Sequence, residues 1–170
     1  TARLKRQRNL SVDEIYDKVA AIKEQAEVFF GRPLTNIVFM GMGEPMLNYA
    51  NVMAAIEKIT SPKGLNMASR RITVSTVGVA KMIKKMADDN PKFNLAVSLH
   101  AALNETRSYI MPINDTNPLE DLAEALQYWY QKTKSKVTYE YVVWKGVNDT
   151  PAHAQALLKF ARLVPSKVNL

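Results

Sequence analysis

Cysteine is absent from the 170-residue chain. Without thiolates the chain has no disulfides, no zinc-finger site and no iron–sulfur ligands of its own. Long apolar runs are missing too. None approaches the roughly 18 residues needed to cross a bilayer, which excludes a membrane span. No basic-then-apolar leader opens the sequence, so no secretory signal is read. Low-complexity tracts and short repeats are lacking. Acidic side chains are the minority, 16 against 23 Lys and Arg, and the net charge of +7 is a mild attraction to polyanions. What is present is ordinary: 47% hydrophobic and 23% charged residues. That composition, at one domain's length, predicts a single packed core over residues 1–170 and a basic, cytoplasmic location.

One rhythm recurs along the chain. A β-rich run ends in small or polar residues, and an amphipathic helical pattern follows. The runs are 35–41 (TNIVFMG), 71–77 (RITVSTV), 93–100 (FNLAVSLH), 137–144 (VTYEYVVW) and 167–170. Each is rich in Val, Ile, Phe or Tyr, as buried strands are. Between them, Val12, Ile15, Val19, Ile22, Ala26 and Phe29 step by three and four and paint one helical face. Ser11 with Glu14 forms a capping box, and Gly31 ends that helix. A second helix is predicted over about 49–59 and a third from after Gly78 to about Asp89. A fourth starts at Asn117-Pro118, with Asn117 as its cap. A fifth opens at Asp149/Thr150-Pro151. The alternation implies parallel strands joined by right-handed crossovers, in either a doubly wound sheet or a β/α barrel. Both ends read as cut, so the expectation is a piece of a longer protein.

In either fold, ligands bind at the C-terminal ends of the strands. Four polar clusters fall there: Gly41-Met42-Gly43-Glu44-Pro45 with Asn48; Ser75 and Thr76 before Gly78; Ser98-Leu99-His100; and the run 145–149, KGVND. The glycine loop lacks the third small residue of a dinucleotide-binding turn, where Met46 stands, and no Gly-Lys-Ser/Thr follows it. Gly43 lets a ligand approach the backbone, and Glu44 supplies an anion suited to an ammonium or to ribose hydroxyls. A water-facing glutamate in a simple turn is the plain alternative. His153, in the first turn of the fifth helix, is expected to be merely exposed. Arg3, Lys5, Arg6 and Arg8 form a basic group placed for phosphate contact.

FMGMGEPMLNY, RRITVSTVG, LAVSLHA, MPIN (111–114), YEYVVWKGVND and PSKVNL, in this order, closely resemble the RlmN/Cfr family. These are radical S-adenosylmethionine (SAM) enzymes that methylate adenine in 23S rRNA, at carbon 2 in the RlmN branch, with tRNA as a second substrate of some members. The Cfr branch methylates carbon 8. The resemblance covers essentially the whole chain. It implies an α/β fold, a partial (β/α)6 barrel with helices outside a parallel curved sheet, of which the first strand and the cluster loop are missing here. It implies SAM and a 4Fe-4S cluster as cofactors. The three cluster cysteines would precede Thr1, because Thr1-Ala2 and Arg8-Asn9-Leu10 match the segment that follows the third. Two further cysteines used in the family's chemistry are also outside the chain, so these 170 residues alone are expected to be inactive. Ser166 stands where the family usually has a cysteine without a chemical role. Carried over residue by residue, Gly43, Glu44, Ser75, Ser98, Leu99 and His100 would contact SAM; the resemblance assigns no catalytic residue or metal ligand to this chain. Its implied partner is 23S rRNA, with tRNA as a second, and no membrane or protein partner. Without the resemblance, the same clusters describe a non-catalytic βα domain that binds a nucleotide.

Overall fold

The computed structural model describes residues 7–40 and 43–170; Arg3, Lys5, Arg6, Gly41 and Met42 lie outside the described residues. The chain divides after Val74 into two compact units.

The first unit holds α1 (Val12–Phe30), β1 (Ile37–Phe39), a 3-10 turn (Pro45–Asn48), α2 (Tyr49–Thr60), and the start of β2 (Ile72–Thr76). Helix α1 begins as expected: the Ser11 hydroxyl accepts from Glu14 N, and the Glu14 carboxylate accepts from Ser11 N. It ends on Gly31 at φ 59°, whose N–H reaches Glu27 O. Of the basic N-terminal group, Arg8 is described: its exposed guanidinium pairs with Glu14 through both terminal nitrogens. That hydrogen-bonded cation pulls the Glu14 carboxyl down to about 2. Asn48 and Asn51 both donate to Leu10 O, at 2.9 and 3.0 Å, which fixes the entry to α1 against α2. Lys58 adds an ion pair to Asp13 at 2.8 Å and lies over the Tyr16 ring. Val52, Ala55, Ile56 and Ile59 recur at helical spacing along α2 and are all buried. Strands β1 and β2 pair in parallel, Ile37 beside Ile72.

The second unit contains the end of β2, then α3 (Ala80–Asp88), β3 (Asn94–Ser98), α4 (Asn104–Ile110), a 3-10 turn (Pro112–Asp115) and α5 (Leu119–Thr133). It finishes with β4 (Val137–Glu140), α6 (Pro151–Ala161) and β5 (Ser166–Asn169). β3 pairs with β4 and β4 with β5, all parallel. The sheet order is β1-β2-β3-β4-β5, so strands follow one another in chain order, as repeated βα units require. Ile83, Met86 and Ala87 of α3 and Leu122, Leu126 and Trp129 of α5 are buried to 1% exposure or less. The exposed pairs Lys84–Glu124 and Lys132–Asp88 sit between these two helices, where solvent screens them and they contribute little. Among the described residues, no helix is long and apolar enough to cross a membrane.

Three details depart from the sequence reading. Helix α4 is an addition: its sequence, NETRSYI, has no apolar stripe. The β run 137–144 stops as a strand at Glu140, because side chains take over the hydrogen bonds of the next backbone groups. Asn117 does not cap α5. Pro118 occupies that position, the Asn117 amide oxygen accepts from Ala80 N of α3, and the vacated role falls to Asn104, whose Oδ1 accepts from Leu119 N at 3.0 Å.

Candidate functional site

In the first unit, β1 leads into Gly43, which has φ 121° and open space where a Cβ would stand. An L side chain resists that conformation, so glycine is required by the backbone rather than by crowding. Glu44 is the cap of the following 3-10 turn: its Oε1 accepts from Met46 N at 3.0 Å, and Pro45 fills the first helical position. One carboxylate oxygen is thereby oriented by its own loop, and the charge stays at the strand end. Met46 is 2% exposed and packs into the core. A large side chain fills the place that a dinucleotide fingerprint keeps small, in keeping with the exclusion of that motif.

The second unit supplies the rest of the candidate set. Ser75 is buried near the end of β2, and beside it Thr76 Oγ1 accepts from Gly78 N. Ser98 is the half-buried last residue of β3, Leu99 is fully buried, and His100 turns the chain at φ 55°. The backbone N–H groups of Leu99 and His100 both point at Glu140 O of the adjacent strand, at 3.0 and 3.3 Å. The His100 ring accepts from Val142 N through Nδ1 at 3.2 Å. An accepting Nδ1 carries no proton, so the neutral ring presents its N–H at Nε2. Burial, then the nearby Arg107 charge, push the His100 pKa below its ordinary value, against a smaller opposing effect of Glu140.

Two residues that organise this segment are not among the sequence candidates. Arg107 is fully buried with no carboxylate beside it among its hydrogen-bond partners. Its Nε donates to Leu99 O at 3.2 Å, one terminal nitrogen to Asn114 Oδ1 at 2.9 Å, and the other to Val77 O at 2.7 Å, with Ser98 O at 3.4 Å. Burial pushes its pKa down to about 10, so it stays protonated at neutral pH. Asn148 does the same work on the other side of His100. Its amide donates to His100 O at 2.6 Å and Val142 O at 2.8 Å, while its Oδ1 accepts from Trp144 N at 2.6 Å. The Asn114 of MPIN closes the network by donating to Asn104 and Ser108. His153, expected to be merely exposed, is half-buried instead. Its Nδ1 lies 2.7 Å from Thr150 Oγ1 and its Nε2 3.1 Å from Thr106 Oγ1, so it joins α6 to α4.

Gly78 marks how closely this network is packed. It has φ 99°, and a Cβ there would lie 3.2 Å from an Arg107 terminal nitrogen and 3.2 Å from a Leu122 methyl. Gly78→Ala is expected to destabilise the protein by roughly 1–3 kcal/mol, from the strained backbone and the displaced guanidinium together. Thermal unfolding of the full-length variant checks this; an unchanged midpoint would show that the loop relaxes freely.

A parallel α/β sheet with polar groups at its strand ends is an arrangement in which α/β proteins bind ligands. The sequence pattern defining the Radical SAM superfamily matches residues 2–160. The chain belongs to that superfamily. It is 65% identical over all 170 residues to the "Probable dual-specificity RNA methyltransferase RlmN" of Christiangramia forsetii, covering 48% of that protein. It is 43% identical over 163 residues to the "Dual-specificity RNA methyltransferase RlmN" of Syntrophobacter fumaroxidans, covering 96% of this chain and 47% of the relative. Among solved structures, a radical SAM methyltransferase from Sphaerobacter thermophilus superposes with a TM-score of 0.92 at 40% identity, over 96% of this chain and 48% of that one. The chain thus spans about half the length of the relatives it matches.

SAM and a 4Fe-4S cluster are the cofactors of this superfamily, and the two fit these residues differently. Cluster irons require thiolates, and this chain has none, so it holds no cluster ligand. For SAM, the first unit offers an oriented carboxylate and an unobstructed glycine backbone, groups suited to an ammonium, and the second unit offers serine hydroxyls and an imidazole N–H, groups suited to a carboxylate or to ribose hydroxyls.

Proposed function

We propose that the chain is the central part of an RlmN-type enzyme that methylates carbon 2 of adenine in 23S rRNA, and in tRNA as a second substrate, in the bacterial cytoplasm. The supporting observation is the 65% identity across every residue to a relative named as a dual-specificity RNA methyltransferase. The 43–65% identities to relatives carrying that name favour carbon 2 over the carbon-8 branch. In the complete protein, SAM with a reduced cluster supplies radical chemistry that can activate an unreactive carbon. The thiolates for that chemistry come from outside these 170 residues, so the chain alone is inactive. Its own part is to bind SAM. Gly43 and Glu44 receive the amino-acid end, the carboxylate on the ammonium. Ser75 and the Ser98-Leu99-His100 turn contribute further contacts, with the neutral imidazole donating from Nε2 and Arg107 and Asn148 holding the turn in place.

Nucleoside mass spectrometry on 23S rRNA from a strain lacking the gene, complemented with the full-length protein, tests the reaction. 2-Methyladenosine is the expected product; 8-methyladenosine, or no methylation, would overturn the assignment. The SAM site has its own test. Glu44→Gln in the full-length enzyme removes the charge but keeps an oxygen to accept from Met46 N. It is expected to weaken SAM binding by roughly 1.5–3 kcal/mol, the range for a hydrogen bond to a charged group. Isothermal titration giving equal dissociation constants would remove Glu44 from the site and leave it as a loop cap.

A further inference from the structure

The second unit carries two large exposed rings that neither the core nor the SAM-binding reading uses. Tyr109 on α4 is 68% exposed and Trp144, just beyond β4, is 51% exposed. Their centroids lie 6.5 Å apart with the planes tilted by 33°. Exposed rings on loose backbone would be unremarkable, but both of these stand on clamped backbone. Tyr109 is two residues from Arg107, whose guanidinium holds the carbonyls of Val77, Ser98 and Leu99. The Trp144 N–H is held by Asn148, which also holds His100 O. Arg107, two residues from Tyr109 along α4, and Asn148, bonded to the Trp144 backbone, therefore both hold the same Ser98–His100 turn. Lys145 follows Trp144, is exposed, and makes no ion pair among the described residues. The neighbouring carboxylate, Asp149, is engaged by Gly146 N at 3.0 Å.

A fixed pair of exposed aromatic rings beside an available cation matches an unstacked base and its phosphate. Bases splayed out of a helix stack on Tyr and Trp faces, and lysine supplies the phosphate contact. An apolar protein partner would use the rings but gains nothing from an adjoining ammonium. We infer that Tyr109 and Trp144 form a stacking platform for an unpaired base of the RNA substrate, with Lys145 at its phosphate. This inference rests on the RNA methyltransferase reading.

The test uses full-length enzyme, a short single-stranded RNA carrying the target adenine, and the same RNA annealed to its complement. Subtracting the Trp144→Phe emission from that of the parent isolates Trp144 fluorescence, because every other tryptophan is common to both proteins and Trp129 is buried away from added RNA. Single-stranded RNA is expected to quench that signal and the duplex to quench it far less. Trp144→Ala and Tyr109→Ala are each expected to weaken single-strand binding roughly 5- to 100-fold, the effect of one lost base-stacking contact, with SAM affinity retained. Trp144→Phe keeps a ring and should recover most of the loss. A parent enzyme that neither binds nor methylates RNA overturns the functional reading itself. A parent that binds RNA while both alanine variants match it overturns the platform alone. So does a Trp144 signal already shielded from acrylamide before RNA is added, since that would mean that the rest of the protein covers the rings.

Discussion

Replacing Arg107 by methionine should lower the unfolding free energy of the full-length protein by roughly 3–5 kcal/mol. Methionine retains much of the apolar stem, so the loss is of hydrogen bonds rather than of volume. Leu99 O, Val77 O and Asn114 Oδ1 are the acceptors that lose their donor, at present distances of 3.2, 2.7 and 2.9 Å. A buried acceptor left without a partner costs about 1–3 kcal/mol, and here three lie together around a side chain with no exposure. Lysine is an informative second variant. It restores the charge, but a single ammonium cannot span acceptors arrayed around a planar guanidinium, so it should recover only part of the loss. Urea unfolding followed by near-ultraviolet circular dichroism measures both. A methionine variant with the parental midpoint would mean that Arg107 is an accommodated charge and not a clamp. Because Leu99 and Ser98 belong to the proposed SAM site, whichever variant remains folded should also bind SAM more weakly.

The parts of this molecule that were legible in the sequence are those governed by local rules. The Ser11–Glu14 capping box, the Gly31 stop and the start of α6 at Asp149 or Thr150 before Pro151 are each written within one or two helical turns, and the structure contains each, with Thr150 as the cap. The stripe expected along α1 is buried at Ile15 but open at Ile22 and Phe29, which are 53% and 75% exposed. The parallel pairing follows from the βα rhythm because a strand cannot return to a parallel neighbour without a crossover. What escaped was decided by groups far apart in sequence. Helix α4 has no stripe because its inward residue is Arg107, held by acceptors from as far away as Val77. Asn117 has the right identity and position for a cap, yet Ala80 N of α3 claims its oxygen, and Asn104 caps α5 across 15 residues. Of the candidate site, the sequence identified the strand ends and not what shapes them. His100 stood out as one of two histidines, whereas its tautomer is set by Val142 N, a backbone group that no motif reports.

Asn148 should prove the second critical residue of the network, and its two simplest variants should fail differently. Asn148→Ala removes donors to His100 O and Val142 O and the acceptor for Trp144 N, and is expected to cost roughly 2–4 kcal/mol. Asn148→Asp has the same shape and keeps an oxygen for Trp144 N, but sets a second oxygen against two carbonyls. Burial and those carbonyls disfavour its ionised form, so its folded-state pKa should lie above the ordinary aspartate value near 3.9. A carboxyl raised on folding destabilises the protein at pH values above its folded pKa. That deficit should shrink as the pH falls through it, because the protonated acid can donate to one of the carbonyls. His100 moves the other way. Its depressed pKa costs every variant stability as the pH falls below its ordinary value, so each Asn148 variant must be compared with the parent at the same pH. Plotted this way, the Asp deficit should narrow toward acid while the Ala deficit stays flat. Parallel curves for the two variants would mean that the side-chain amide of Asn148 does not face the His100 and Val142 carbonyls in solution, and the geometry holding His100 would have to be redrawn.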